Sequence, residues 1–286
     1  MSTIAARCLF LLLPFALACG EEDKAVDSGS DYPEGPGVFF PIEQLVIGAD
    51  ADVPVGTIYG HPREMSEDLP ALILIHDFGQ SSQEWFSTTF FIDLLEAGYI
   101  IAAINLRGHG NTPLPDGRNT FDYNAADLDN SYLDVQTTLD WLEEQPGVDA
   151  ERIGVIGSGF GANVAYVAKG VFPTRIRTAV ALSPIFWEDP VDSSRSLVVG
   201  EGLPSFTPQN TLFIVGEIAV NLSENPNVRS SVGFTRELAD RTAEPKEVDT
   251  VGGNPVYGVG ILCDPDSPDC NSGPRDGLLK WLEDNL

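Results

Sequence analysis

Apolar residues in this chain come in short continuous runs separated by longer amphipathic stretches. Ala71-Leu72-Ile73-Leu74-Ile75 and Tyr99-Ile100-Ile101-Ala102-Ala103-Ile104 show no polar alternation, the pattern of strands covered on both faces. Residues 153–156, 178–182 and 211–215 are further runs of this kind, and 246–251 predicts a last strand. Nearer the start, 44–47 and 54–59 predict a pair of strands. Helical stretches lie between the runs, at 85–97 (closed by Gly98), 127–145, 162–169, 229–241 and 277–285. In the second of these Leu128, Tyr132, Val135, Leu139 and Leu142 form one apolar stripe. The alternation predicts an α/β fold, a mostly parallel sheet covered on both faces by helices. Fewer than thirty residues separate Leu182 from Thr211. That is room for an excursion but not for a large lid domain, so any pocket is expected to be open. The chain carries no internal repeat.

The first residues break this pattern. Arg7 is followed by an apolar stretch from Leu9 to Leu17, too short to span a bilayer permanently, as in a removable export signal. Cleavage after Ala18 would leave Cys19 first, and the segment resembles a bacterial lipoprotein signal whose cysteine is lipidated. Ala16 stands where such signals usually have leucine, and Ala16-Leu17-Ala18 also satisfies the small-x-small rule of ordinary cleavage, which would give a soluble secreted protein. The segment after it, rich in Glu, Asp, Ser, Gly and Pro, cannot bury a core and predicts a flexible tether. The expected organisation is therefore a signal over 1–18, an acidic tether over 19–38 carrying lipid on Cys19, and one folded domain over 39–286.

With 286 residues, 43% of them apolar, the chain can build one sizeable core. Its 43 acidic against 16 basic residues give a net charge of −27, which argues against nucleic acid and anionic membrane surfaces as partners and favours solubility. Contact with a membrane is expected through the lipid anchor alone. Cys8 leaves with the signal. If Cys19 carries lipid, Cys263 and Cys270 remain as an even pair, suited to a small disulfide loop in an oxidising compartment, across the turn-forming Asp264-Pro265-Asp266-Ser267-Pro268-Asp269. Those acidic residues lack the spacing of an EF-hand, and neither a metal nor a cofactor is expected.

Candidate chemistry centres on Gly157-Ser158-Gly159-Phe160-Gly161, a Gly-rich turn between a short strand and a small-residue helix. The nucleophile elbow reads G-x-S-x-G with serine at its centre. Here the centre is Gly159, and Ser158 stands one place early. His76-Asp77-Phe78-Gly79 is similar to an oxyanion loop, Asn105-Leu106-Arg107-Gly108-His109-Gly110 to a D-x-R-G-H-G turn, and Val148-Asp149 with Arg152-Ile153-Gly154 to the lead-in of an elbow. Together, over about residues 42–286, these resemble the α/β-hydrolase superfamily, its small dienelactone-hydrolase-like or serine-aminopeptidase-like esterases most of all.

The resemblance implies a serine, an acid and a histidine at three positions. Gly159 holds the first. The acid position falls in Gly216-Glu217-Ile218-Ala219 at Ala219, and the histidine position in Tyr257-Gly258-Val259-Gly260-Ile261-Leu262 at Tyr257. All three histidines, His61, His76 and His109, precede the elbow. Loss of one such member costs about 10⁴-fold in rate. The backbone N–H groups of Phe78 and Phe160 are the expected oxyanion donors, able to hold a carbonyl or carboxylate oxygen. Asp77, where the family usually has glycine, is expected to add negative charge beside them.

Other residues have a structural and a chemical reading. Ser158 packs the turn or acts as a displaced nucleophile; His76 satisfies loop backbone or serves as its base. His109 is structural in the family, and His61 is expected to be exposed. Glu217 and Tyr257 are unrelated polar residues or a hydrogen-bonded pair. Trp85, Phe86, Phe90 and Phe91 form core or a ligand platform. The sequence therefore predicts an exported lipoprotein with a degenerate hydrolase site that binds a small molecule or a protein in a remnant pocket. Its rivals are a serine hydrolase working through Ser158 and His76, and a purely structural envelope protein.

Overall fold

In the computed structural model, residues 42–48, 51–63, 65–118, 124–187, 207–218, 220–221, 228–253, 256–262 and 272–286 are described. The strands are β1 (Ile42–Ile47), β2 (Val55–Gly60), β3 (Leu69–Ile75), β4 (Ile100–Ile104), β5 (Val148–Ser158), β6 (Thr178–Leu182), β7 (Ile185–Trp187), β8 (Gln209–Gly216), β9 (Val220–Asn221), β10 (Val228–Ser230) and β11 (Ala243–Val251). Eight of them form one sheet in the order β1-β2-β4-β3-β5-β6-β8-β11. From β4 to β11 all neighbours are parallel, and β2 pairs antiparallel with β1 and β4. The apolar runs are its central strands, because only a strand covered on both sides buries every residue.

Alternate residues of β3 point to opposite faces. Ile73 and Ile75 pack with Val135, Leu139 and Leu142 of α3 (Tyr132–Leu142) and with Val164, Ala165 and Ala168 of α4 (Phe160–Val171). Leu72 and Leu74 pack on the other face with Phe90, Phe91, Leu94 and Leu95 of α1 (Phe90–Glu96) and Leu278, Trp281 and Leu282 of α6 (Ser272–Asn285). Phe234 and Leu238 of α5 (Val232–Asp240) close a third cluster against Tyr166 and Phe213.

The structure differs from the sequence expectation in three places. The helix predicted over 85–97 is a 3₁₀ turn, Ser82–Ser87, followed by α1, because Thr88 is extended between them. The helix over 127–145 is split into α2 (Ala125–Asp129) and α3 at Asn130 and Ser131. Its start is set by a capping box in which Asn124 and Asp127 satisfy each other's backbone. The predicted stripe survives the break, with Leu128, Val135, Leu139 and Leu142 buried together and Tyr132 packed against them. The excursion after β6 includes β7, which joins β10 and β9 in a separate three-stranded sheet that the sequence pattern does not announce.

Among the described residues no helix is long and apolar enough to cross a membrane. Cys8, Cys19, Ala219, Cys263 and Cys270, and with them the signal, tether and disulfide expectations, lie outside the described residues.

Candidate functional site

β5 lies between β3 and β6, so its C-terminal end meets the loop that leaves β3. The chain turns there at Gly159, with φ 55° and ψ −114°, between the last residue of β5 and the first of α4. A side chain rarely adopts this conformation, and it is the sharp strand-to-helix turn of an elbow. The flanking glycines have steric reasons. A Cβ on Gly157 would collide with the carbonyl of Gly161, and one on Gly161 with the carbonyls of Ile75 and His76.

The space into which a side chain on Gly159 would project is occupied. A Cβ there would collide with the Tyr257 hydroxyl and the Asp77 carboxylate. Oδ1 of Asp77 accepts two backbone N–H groups, those of Phe160 and Phe78, both at 2.7 Å. Oδ2 accepts the Tyr257 hydroxyl at 2.8 Å. The two donors expected to hold a foreign oxygen therefore hold one of the protein's own. Asp77 brings its negative charge to these donors, as its place in the loop suggested, and goes further by bonding to both. The i,i+1 bond to Phe78 folds the side chain back onto them. The space directly over Gly159 is filled by the same two side chains.

Ser158 and His76 are brought to this end of the sheet but not into one reacting pair. Ser158 is fully buried; its Oγ donates to Glu84 Oε1 at 2.9 Å and accepts from Val259 N–H at 3.2 Å. His76 is also fully buried. Its Nδ1 donates to the Asp77 carbonyl at 2.6 Å and its Nε2 accepts the Leu106 N–H at 3.0 Å. Burial pushes it down to about 3, so the ring is neutral with both nitrogens engaged in holding backbone. His109 does similar work, accepting the Gly79 N–H and donating to the Arg107 carbonyl. His61 is half-buried rather than exposed, bonded to the Pro62 carbonyl. Glu217 is exposed, and the hydroxyl of Tyr257 goes to Asp77 instead. Trp85, Phe90 and Phe91 are core.

A family model of the alpha/beta hydrolase family matches residues 72–284. The chain belongs to that family. Its solved relatives include an esterase from Pyrococcus furiosus, 18% identical with a TM-score of 0.58, covering 87% of this chain and 94% of its own. A dienelactone hydrolase from Anabaena variabilis is 14% identical, with a TM-score of 0.58 and coverage of 86% and 99%. A hypothetical protein from Pseudomonas aeruginosa is 17% identical, with a TM-score of 0.61 and coverage of 92% and 98%. At these identities the likeness is one of fold. No curated protein matches the sequence.

In this alpha/beta hydrolase two carboxylates share the elbow. Burial raises Asp77 above the ordinary carboxylate range, while the bonds from Phe160, Tyr257 and Phe78 pull it back. Glu84, which also accepts the Asp77 N–H at 2.8 Å, is pushed up to about 7, chiefly by burial. Burial, and then the charge of Asp77, raise the Tyr257 phenol well above its ordinary 10.0, so it is a donor and not a base. Among the described residues no three His, Cys, Asp or Glu side chains are grouped to hold a metal. The part played by Glu84 has no motif to announce it. That of Asp77 has a faint one, an acidic side chain in the loop that faces a glycine at the centre of the elbow.

Proposed function

We propose that this alpha/beta hydrolase does not catalyse acyl transfer and acts by binding, as an exported protein anchored through lipid on Cys19. In this reading Gly159, Ala219 and Tyr257 stand at the nucleophile, acid and base positions of the family. One observation carries the reading: the Asp77 carboxylate fills the place of an attacking side chain and uses both backbone donors that would stabilise an oxyanion. Acyl transfer needs those donors free at the moment charge develops. The ligand or protein partner then binds on the surface around the closed elbow, or by displacing Asp77 from it.

Ser158 supports this reading too. Its hydroxyl is buried and already bonded on both its donor and acceptor sides, so it is held as packing for the turn. The test is hydrolysis of a short-chain p-nitrophenyl ester by purified protein, with Ser158→Ala in parallel. The expected rate is that of buffer for both. A rate above buffer that Ser158→Ala abolishes would establish a serine hydrolase of unusual design.

A further inference from the structure

The contacts of residue 77 divide into two sets. Its carboxylate takes the N–H groups of Phe78 and Phe160 and the hydroxyl of Tyr257. Its backbone is held separately: its N–H donates to Glu84 at 2.8 Å, and its carbonyl accepts from His76 Nδ1 at 2.6 Å and from Gln80 N–H at 3.1 Å. Nearby, the Gly79 N–H is bonded to His109. None of these backbone anchors uses the side chain of Asp77. Shortening that side chain therefore leaves the Phe78 N–H aimed as before, and α4 keeps the Phe160 N–H in place.

We infer that the elbow is a carboxylate receptor with Asp77 as its resident ligand. Emptied of that side chain, Phe78, Phe160 and Tyr257 take up a small free carboxylate such as formate or acetate. The donor arrangement selects the class. One oxygen receives two N–H groups and the other receives a hydroxyl, which suits a planar two-oxygen anion better than a spherical one. The opened space has the size of a carboxyl group, because that is the group removed. An external carboxylate competes poorly with the intact chain, where the internal one is held in the same chain, one residue from the Phe78 donor.

The experiment is thermal denaturation of the full chain carrying Asp77→Ala, with sodium formate, acetate or chloride at equal ionic strength. Formate at about ten times its Kd, worth about 1.4 kcal/mol, is expected to raise the melting temperature of the variant by about 3–6 °C and chloride by much less, while neither raises that of the unsubstituted protein. Adding Tyr257→Phe should weaken formate binding by about tenfold or more, through loss of one bond to a charged acceptor. If Asp77→Ala does not fold in plain buffer, formate should restore its refolding yield. A folded variant that ignores formate and acetate, one that answers chloride equally, or an unfolded one that no carboxylate restores would each overturn the inference. The readout is binding rather than turnover, so such a result leaves the absence of catalysis standing.

Discussion

Gly159 combines a backbone conformation that excludes most side chains with a location where a side chain has no room. Placing a serine there is therefore not a simple addition of a hydroxyl. Gly159→Ser is expected to show no esterase activity and to lose about 2–4 kcal/mol in urea denaturation, from left-handed strain and collision with Tyr257 and Asp77. In an Asp77→Ala background the cost should fall, since part of the collision is gone; strict additivity would contradict this packing. Glu84 gives a second residue-scale prediction. Its pKa rises from 4.5 to about 7 on folding, so its contribution to stability is complete below pH 4.5 and is lost as pH rises through 7. His76, lowered from 6.5 to about 3, acts oppositely and withdraws stability as pH falls through that window. Glu84→Gln removes only the first effect. Relative to the unsubstituted protein, the variant should gain on the order of 2 kcal/mol between pH 5 and pH 8. A pH-independent difference would show that Glu84 is not buried as a titrating carboxyl.

The elements around the elbow are fixed by backbone proximity. α4 starts so close to the end of β3 that Gly161 has no space for a methyl group, the obstacles being the carbonyls of Ile75 and His76. Gly161→Ala is expected to cost about 3 kcal/mol, read from the urea midpoint, because neither β3 nor α4 can shift alone. Gly260→Ala, with open space around the added carbon, should stay within about 0.5 kcal/mol and serves as its control. This crowding explains what sequence pattern reveals. The Gly157, Gly159 and Gly161 spacing announces the elbow because each glycine answers a backbone demand. Likewise the strand runs announce the sheet because burial on both faces leaves no polar position. The contact between Asp77 and Tyr257 is announced by nothing local: 180 residues separate them, and only the neighbouring of β3 and β5, with the return of the chain after β11, brings them together. β7, β9 and β10 are too short, at two or three residues, to carry a period. The break at Asn130 and Ser131 is not announced by the apolar stripe, which runs through it unchanged.

For the whole molecule, the family and its sheet supply a stable body, and at its elbow the Asp77 carboxylate is bonded to Phe78, Phe160 and Tyr257. We propose that this body is exported and tethered, which the anchor at Cys19 makes testable: Cys19→Ala should move the protein from the membrane fraction to the soluble fraction of the cell envelope. An unchanged distribution would favour ordinary cleavage and a soluble protein. Its charge of −27 keeps such a tethered body from anionic surfaces, so the lipid and not the domain is expected to hold it there. A working serine hydrolase needs one hydroxyl of this fold to be an activated nucleophile. The most direct measurement is labelling of purified, demonstrably folded protein with a fluorophosphonate probe, followed by mass mapping of the adduct. The elbow described here, closed by Asp77 and Tyr257 with Ser158 buried against Glu84, predicts no adduct. Stoichiometric labelling of Ser158 would contradict it and make this chain a working serine hydrolase.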